Sequence, residues 1–381
     1  MVGKAVIGIG FGDEGKGITT DFLCSRSRNP MVVRFSGGHQ AGHTVVLNGV
    51  RHVFSNFGSG SLRGAPTYWS KYCTVNPVGI INELNVLNGK GITPTLYIDE
   101  KCPITTPYDM LHNRMIEEVN LHGSCGVGVG ATIEREEKYY SLQFGDIYYP
   151  SVFKIKLDEI RKYYSFKEDV DLTEFIECVE LIKENKNIQP TDGLPLYNNH
   201  DELIFEGSQG LLLDATIGFF PNVTRTNVTT KNILDMGYSP KVYLVTRAYQ
   251  TRHGNGAMTN EQIPNNIKVD DNETNKKNKY QGEFRRAILD LDLLKYAINK
   301  DAYIKNLKHK SLVITCLDHV VDDYRFTYQG QIIFSSNQNE FVRKISKILN
   351  IDDVYISESN EADNIKKMVL KEVCEMSKVI N

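Results

Sequence analysis

A glycine-rich loop directly follows a short apolar segment near the start of the chain. Residues 5–7 read Ala-Val-Ile, residues 8–17 read Gly-Ile-Gly-Phe-Gly-Asp-Glu-Gly-Lys-Gly, and Gly10 to Lys16 fits the pattern GxxxxGK. Such a loop between a strand and a helix surrounds phosphate with backbone N–H groups, and its lysine reaches the terminal phosphoryl oxygens. The usual pattern continues with Ser or Thr, but this chain has Gly17. The sequence therefore predicts a phosphate-binding loop that differs at one position from the common form.

The loop contains a carboxylate, Asp13, which limits the kinds of reaction in which the loop can bind phosphate. An acid repels phosphate unless a Mg²⁺ ion lies between them or the acid takes part in the reaction. We therefore expect a nucleotide-dependent enzyme that uses Mg²⁺ and in which Asp13 has a chemical role. A simple nucleoside triphosphatase is an alternative, although Gly17 lacks the hydroxyl that such enzymes use for Mg²⁺.

Composition excludes several other classes of protein. The 381 residues carry a net charge of −3, which gives no electrostatic reason to expect nucleic acid as a partner. No run of about 18 apolar residues suggests a membrane span, and no signal peptide precedes the first strand. The seven cysteines form no CxxC pair, which is typical of reduced thiols. We expect a cytoplasmic protein, or one in the host cytoplasm if its source is viral.

Apolar segments of strand length recur along the chain and alternate with helical patterns. Strands are predicted at 5–8, 31–35, 203–205, 242–246, 312–315 and 354–356, with a hairpin at 45–54. Residues 153–190 are predicted to be helical, and a final helix is predicted after 354–356. This order predicts one large α/β domain over 1–381, with a central, mostly parallel sheet and helices on both faces. Insertions are expected at roughly 100–200 and 262–282, and the role of the polar stretch 270–279 stays open.

Several motifs occur in an order that resembles the adenylosuccinate synthetase family, whose members join aspartate to a 6-oxopurine nucleotide. The matching segments are GDEGKG at 12–17, GGHQAGHT at 37–44, EGSQG at 206–210, PNVTRTN at 221–227, TRHGNG at 251–256, an Arg-Arg pair at 285–286 and TCLD at 315–318. The resemblance covers nearly the whole chain. It implies a homodimer that acts on small molecules: a purine nucleoside monophosphate, L-aspartate, and ATP or GTP.

The resemblance implies a catalytic role for four residues. Asp13 is the expected base that removes the purine N1 proton, and His43 is the expected acid that hydrogen-bonds the transferring phosphoryl group. Lys16 neutralises charge on the phosphoryl oxygens, and Gln209 contacts the purine or the phosphoryl group. A zinc site at His39 and His43 is the competing interpretation, but no cysteines or acids cluster there.

The resemblance also implies three sets of binding residues. The nucleotide and phosphate ligands are expected to be Gly12, Glu14, Gly15, Gly17, Gln40, Gly42, Thr44, Ser124, Cys125, Thr224, Arg225 and Asp318. Arg252, Arg285 and Arg286 are expected to bind the carboxylates of aspartate, because guanidinium groups match carboxylates bidentately. Asp13 and Gly42 are the expected Mg²⁺ ligands.

The departures from the family pattern concern the substrate pockets. Cys316 replaces a lysine that packs over the donor guanine in the family, and residues 357–360 read Ser-Glu-Ser-Asn where the family has STGP. The resemblance places Tyr139-Tyr140 where one subunit of the family's dimer supplies an arginine to its partner, and we expect Arg225 to substitute for that arginine within the same chain. Residues 275–280 replace a threonine-glycine loop that contacts aspartate. The altered pockets put GTP in doubt and make ATP a candidate donor.

Intact catalytic residues with altered pockets indicate a changed substrate. We expect the reaction of the bacteriophage branch of the family, which condenses aspartate with dGMP using ATP. The retained Asp13 counts against that branch, because some of its members lack this residue. The alternative is the ordinary reaction of IMP with GTP, and a further alternative is a nucleotide-binding homologue without turnover.

Overall fold

The computed structural model describes residues 3–120, 123–193, 200–268, 273–275, 277 and 281–369. The strands are β1 (Lys4–Gly8), β2 (Pro30–Arg34), β3 (His43–Leu47), β4 (Val50–Phe54), β5 (Thr67–Trp69), β6 (Leu96–Asp99), β7 (Ile188–Thr191), β8 (Glu202–Gly210), β9 (Lys241–Arg247), β10 (Tyr249–His253), β11 (Phe284–Asp290), β12 (Ser311–Thr315), β13 (Arg325–Tyr328), β14 (Gln331–Phe334), β15 (Asp353–Ile356) and β16 (Lys366–Met368). The helices are α1 (Lys16–Ser25), α2 (Pro77–Gly89), α3 (Pro107–Asn120), α4 (Val129–Glu137), α5 (Pro150–Tyr164), α6 (Thr173–Glu184), α7 (Lys231–Asp235), α8 (Leu291–Lys300) and α9 (Gln338–Leu349).

Ten strands form one central sheet in the order β16-β15-β12-β9-β1-β8-β2-β5-β6-β7. Neighbouring strands are parallel except for the edge pair β15–β16, which is antiparallel. The chain winds from β1 outward to β7, returns to β8 beside β1, and then winds outward on the other side. In such sheets ligands bind at the carboxyl ends of the strands, where the winding reverses. The loops after β1, β8, β9 and β12 meet at that edge.

Side chains from both faces of the central strands are buried, as parallel sheets require. In β1, Ala5 and Ile7 pack into one apolar cluster, whereas Val6 packs into a second cluster on the opposite face. The neighbouring strand β8 divides in the same way, with Phe205 in the first cluster and Ile204 in the second. This alternation explains why continuous apolar runs predicted these strands, and the predicted α/β fold with a mostly parallel sheet is confirmed.

Several predictions about individual elements were wrong. The strand predicted at 203–205 continues through residue 210 in β8. The strand β7 lies at the end of the segment predicted to be wholly helical, and β16 follows the strand predicted to be the last. A second sheet, β10-β11-β13-β14, was not predicted, whereas the hairpin β3–β4 was. Part of the 270–279 stretch and the expected final helix lie outside the described residues. Among the described helices, none is both long and apolar enough to cross a membrane.

Candidate active site

The phosphate-binding loop connects β1 to α1 at the carboxyl edge of the sheet, and Lys16 is the first residue of α1. Gly15 has φ 92°, and a Cβ there would lie 2.8 Å from Thr315 Cγ2, so both its conformation and its surroundings require glycine. Lys16 Nζ lies 3.7 Å from Glu14 Oε2, and both side chains are buried. Burial raises the pKa of Glu14 to about 7, against the opposing effect of Lys16.

His43 begins β3 and faces the loop. Its Nδ1 lies 2.8 Å from Glu206 Oε1, and Glu206, in β8, is fully buried. Burial raises the pKa of Glu206, but His43, Arg34 and Ser59 outweigh this effect and bring the pKa down to about 2. Because an ionised carboxylate is only an acceptor, His43 Nδ1 carries a proton and Nε2 is the ring nitrogen left for a ligand. Burial also lowers the pKa of His43, although Glu206 opposes this.

The glycine at position 17 has a packing reason. A Cβ on Gly17 would lie 2.8 Å from His43 Cβ and 3.2 Å from Ser59 Oγ. A serine or threonine at this position would therefore displace the His43 side chain. The hydroxyl of the common pattern is excluded by the close contact between α1 and β3.

A cleft of about 650 Å³ opens beside this loop. Its wall includes the predicted residues Asp13, Glu14, Gly15, Lys16, Gly17, Gln40, Gly42, His43, Thr44, Gln209 and Asp318. Gly12 lies just behind the wall, since a Cβ on it would be 3.7 Å from Gln209 Oε1. The structure thus brings the four predicted catalytic residues to one cavity, although they come from distant parts of the chain.

The wall of this cleft does not include four of the residues predicted to bind nucleotide or phosphate: Ser124, Cys125, Thr224 and Arg225. Ser124 Oγ accepts a hydrogen bond from Asn113 at 3.1 Å, and Cys125 follows it in the loop before α4. Thr224 Oγ1 is 2.9 Å from Thr226 Oγ1, and Arg225 pairs with Glu134 at 2.9 Å. Their phosphate-binding roles stay predictions.

Two of the three arginines predicted to bind aspartate, Arg252 and Arg285, contact the backbone of the segment 254–257. Arg252 is buried and donates to the backbone carbonyls of residues 222, 255 and 257 at 2.6–3.0 Å, and burial lowers its pKa to about 10. Arg285 donates to the carbonyls of residues 254 and 256 and pairs with Glu261 at 2.9 Å. The Arg286 guanidinium lies 4.8 Å from the Phe284 ring centroid. In this arrangement Arg252 and Arg285 hold a loop, and carboxylate binding by any of the three stays a prediction.

Sequence reasoning missed charged residues of the site, among them Glu206 and Arg247. Glu206 lay within a recognised motif but received no role, and Arg247 ends β9 at the carboxyl edge of the sheet, in the wall of the cleft. Their positions at strand ends were the available signal, because functional side chains of parallel sheets gather there.

The cleft offers oxygen atoms that suit Mg²⁺. The Asp13 carboxylate and the Gly42 backbone both line it, and hard oxygen ligands are those that Mg²⁺ prefers. Within the described part of the chain, no group of three or more His, Cys, Asp or Glu side chains is placed to hold a metal.

Some of the departures from the family pattern lie in the wall of the same cleft. Cys316 has φ 55°, in the left-handed region, and lines the cleft together with Asp318 and residues 357–360. Tyr139 is 93% exposed, whereas the Tyr140 ring lies 4.5 Å from that of Tyr163. The changes at 316 and 357–360 are therefore changes to the cavity wall, and Tyr139 is a surface feature.

Comparison with known proteins identifies the family. The family model described as adenylosuccinate synthetase matches residues 5–368. Adenylosuccinate synthetases of Pasteurella multocida and Haemophilus influenzae are each 32% identical over 284 residues, covering 68% of this chain and 65% of those enzymes. The aligned part thus spans just under two thirds of the length of these relatives.

Solved structures share the fold. Fully ligated adenylosuccinate synthetase from Plasmodium falciparum matches with a TM-score of 0.76 and 19% identity, over 97% of this chain and 100% of that chain. Succinoaminodeoxyadenylate synthetase of cyanophage S-2L, bound to dGMP and to dATP as an energy donor, matches with a TM-score of 0.66 and 14% identity, over 96% of each chain. Together with the family model over residues 5–368, the ordered motifs and the site show that the chain belongs to the adenylosuccinate synthetase family.

Proposed function

We propose that the protein is a carbon–nitrogen ligase that joins L-aspartate to C6 of a 6-oxopurine nucleotide at the expense of a nucleoside triphosphate. One observation carries this proposal: Asp13, Lys16, His43 and Gln209 line a single cleft at the carboxyl edge of the sheet. A base, a phosphate-binding lysine, a hydrogen-bonding imidazole and an amide are the groups that phosphoryl transfer to a purine oxygen needs.

The proposed reaction has two steps. Asp13 removes the proton from N1, and the O6 oxygen attacks the γ-phosphorus, so that nucleoside diphosphate leaves and a 6-phosphoryl purine forms. The amine of aspartate then attacks C6, and inorganic phosphate leaves with the former O6 oxygen. Lys16 and the loop N–H groups neutralise the transferring phosphoryl oxygens, and His43 is oriented toward them by Glu206. Bound Mg²⁺ supplies charge neutralisation on the phosphates.

Within this reaction we propose dGMP as acceptor and ATP as donor. Cys316 and residues 357–360 support this choice, because the resemblance places the donor base beside them and neither keeps the family's guanine-binding pattern. The alternative acceptor and donor, IMP and GTP, are favoured by the 32% identity to enzymes named adenylosuccinate synthetase.

A four-way assay distinguishes these substrates. Purified protein is incubated with aspartate and Mg²⁺, with IMP or dGMP as acceptor and ATP or GTP as donor, and the products are measured by mass spectrometry. We expect an aspartate adduct of dGMP with ATP. An adduct of IMP with GTP and none of dGMP would reverse the choice of substrates while keeping the reaction. Triphosphate hydrolysis independent of purine and aspartate would favour a simple nucleoside triphosphatase.

A further inference from the structure

Three consecutive backbone carbonyls of the phosphate-binding loop are held by side chains from three different strands. The carbonyls of residues 12–14 accept, in order, from Thr251 Oγ1 at 3.0 Å, from Arg247 Nε, and from Thr315 Oγ1 at 2.8 Å. These donors come from β10, β9 and β12. Carbonyls engaged in this way are held in fixed directions, and the intervening N–H groups are fixed with them.

The middle carbonyl belongs to Asp13, whose backbone has φ 58°. A non-glycine residue in the left-handed region is strained and persists only when its surroundings hold it there. The Arg247 guanidinium is a strong donor because it is charged, and it is buried beside the loop. Of the three donors, Arg247 is therefore the one that fixes the direction of the Asp13 carbonyl.

Arg247 also has a second attachment. Its Nη1 donates to Glu273 Oε2 at 2.9 Å and to Tyr249 Oη at 2.8 Å. Glu273 is itself nearly buried in the wall of the cleft, and the pair lies out of reach of most solvent screening. The guanidinium thus bridges the Asp13 backbone and the Glu273 carboxylate.

We propose that Arg247 is a positioning residue for Asp13, and that its ion pair with Glu273 keeps it in the orientation that this task needs. The inference rests on the proposed role of Asp13 as the base. A planar guanidinium serves the carbonyl and the carboxylate at once, in fixed directions, whereas the ammonium of lysine has no such geometry. The conservative change Arg247→Lys therefore keeps the charge but loses the bridge.

The matched control is Arg325, which also donates to a backbone carbonyl, that of Pro264, and pairs with an aspartate, Asp323. It lies in β13, and it is not part of the wall of the cleft. We expect Arg247→Met to lower kcat by about 100-fold, because small displacements of a reacting group cost rates of this order. Arg247→Lys should recover part of the loss, Glu273→Gln should show a smaller loss, and KM for the nucleotides should change by less than about fivefold.

The double variant Arg247→Met/Glu273→Gln should be no slower than Arg247→Met, because Glu273 acts through Arg247. Arg325→Met should keep the kcat of the unmodified protein. A kcat of Arg247→Met equal to that of Arg325→Met would overturn the proposal. So would additive losses in the double variant.

Hydrogen exchange tests the positioning without the enzymatic assay. In ligand-free protein, peptides that cover residues 9–17 should exchange faster in Arg247→Met and in Arg247→Lys than in Arg325→Met. Unchanged exchange would overturn the positioning role even if kcat falls. Faster exchange in a protein without any ligase activity would uphold the positioning of the loop and reject the proposed function instead.

Discussion

At the scale of single residues, the backbone of Asp13 decides which variant tests its role. Its φ of 58° is poorly tolerated by alanine but accepted by asparagine. Asp13→Asn therefore removes the base while keeping the loop, and we expect kcat to fall by about 10²–10⁴-fold. Steady-state kinetics measures the fall in kcat, and nucleotide titration measures whether the loop still binds nucleotide.

The control for this variant is Asp322→Asn. Asp322 also has a left-handed backbone, with φ 54°, and it does not belong to the wall of the cleft. This change should leave kcat unaltered. If Asp13→Asn kept its turnover, Asp13 would not be the base.

Gly17 provides a second prediction at this scale. Restoring the hydroxyl of the common phosphate-loop pattern with Gly17→Ser should destabilise the protein by about 1–3 kcal/mol, because the added Cβ overlaps His43. Urea unfolding measures the loss. Gly130→Ser in α4 is the matched control, since nothing lies within 4 Å of a Cβ there and serine favours the helix more than glycine does. Equal stability of Gly17→Ser and the unmodified protein would contradict the packing argument.

The sequence revealed residues better than it revealed contacts. Asp13, Lys16, His43 and Gln209 were identified because motif order carries them, and they do line one cleft. The bridge made by Arg247 was missed, because it joins the end of β9 to Asp13, 234 positions earlier in the chain, and to Glu273, 26 positions later. Hydrogen bonds between residues so far apart in the chain depend on the order of the strands in the sheet, and a single sequence does not show that order.

At the scale of elements, the strand β8 contains a buried carboxylate, Glu206, whose contacts with His43 and Arg34 depend on pH. Glu206 has its pKa lowered from its ordinary value of 4.5 to about 2, so its contribution to stability is present above pH 4.5 and is lost as the pH falls toward 2. Glu206→Gln should therefore show a shallower loss of unfolding free energy between these pH values. It should also be less stable at pH 7, because Arg34 is left as a buried, unpaired charge.

Unfolding by urea at several pH values between 7 and 2.5 measures both effects. The unmodified protein is the reference, and the slope of stability against pH is the quantity to compare. An equal slope in the two proteins would show that Glu206 is not the group responsible.

Elements with long apolar runs were predicted well, and short or polar ones were not. The strands β1, β2, β9 and β12 have nearly continuous buried runs, which explains their recognition. In contrast, β7 reads Ile-Gln-Pro-Thr, and β16 reads Lys-Lys-Met at the sheet edge. Such strands form because a neighbouring strand offers free backbone groups, and their own side chains give little signal.

At the scale of the whole molecule, the resemblance implies a homodimer. Sedimentation at micromolar concentration should give twice the 43.2 kDa mass of one chain. A monomer that is fully active would contradict this prediction.

The proposed reaction requires that the purine O6 oxygen becomes an oxygen of the released phosphate. Incubating the protein with aspartate, Mg²⁺, ATP or GTP, and the accepted purine nucleotide labelled with ¹⁸O at C6 tests this directly by mass spectrometry. We expect one ¹⁸O atom in each inorganic phosphate, and an aspartate adduct that has lost the label. Unlabelled phosphate, or labelled purine recovered intact while the triphosphate is consumed, would contradict it.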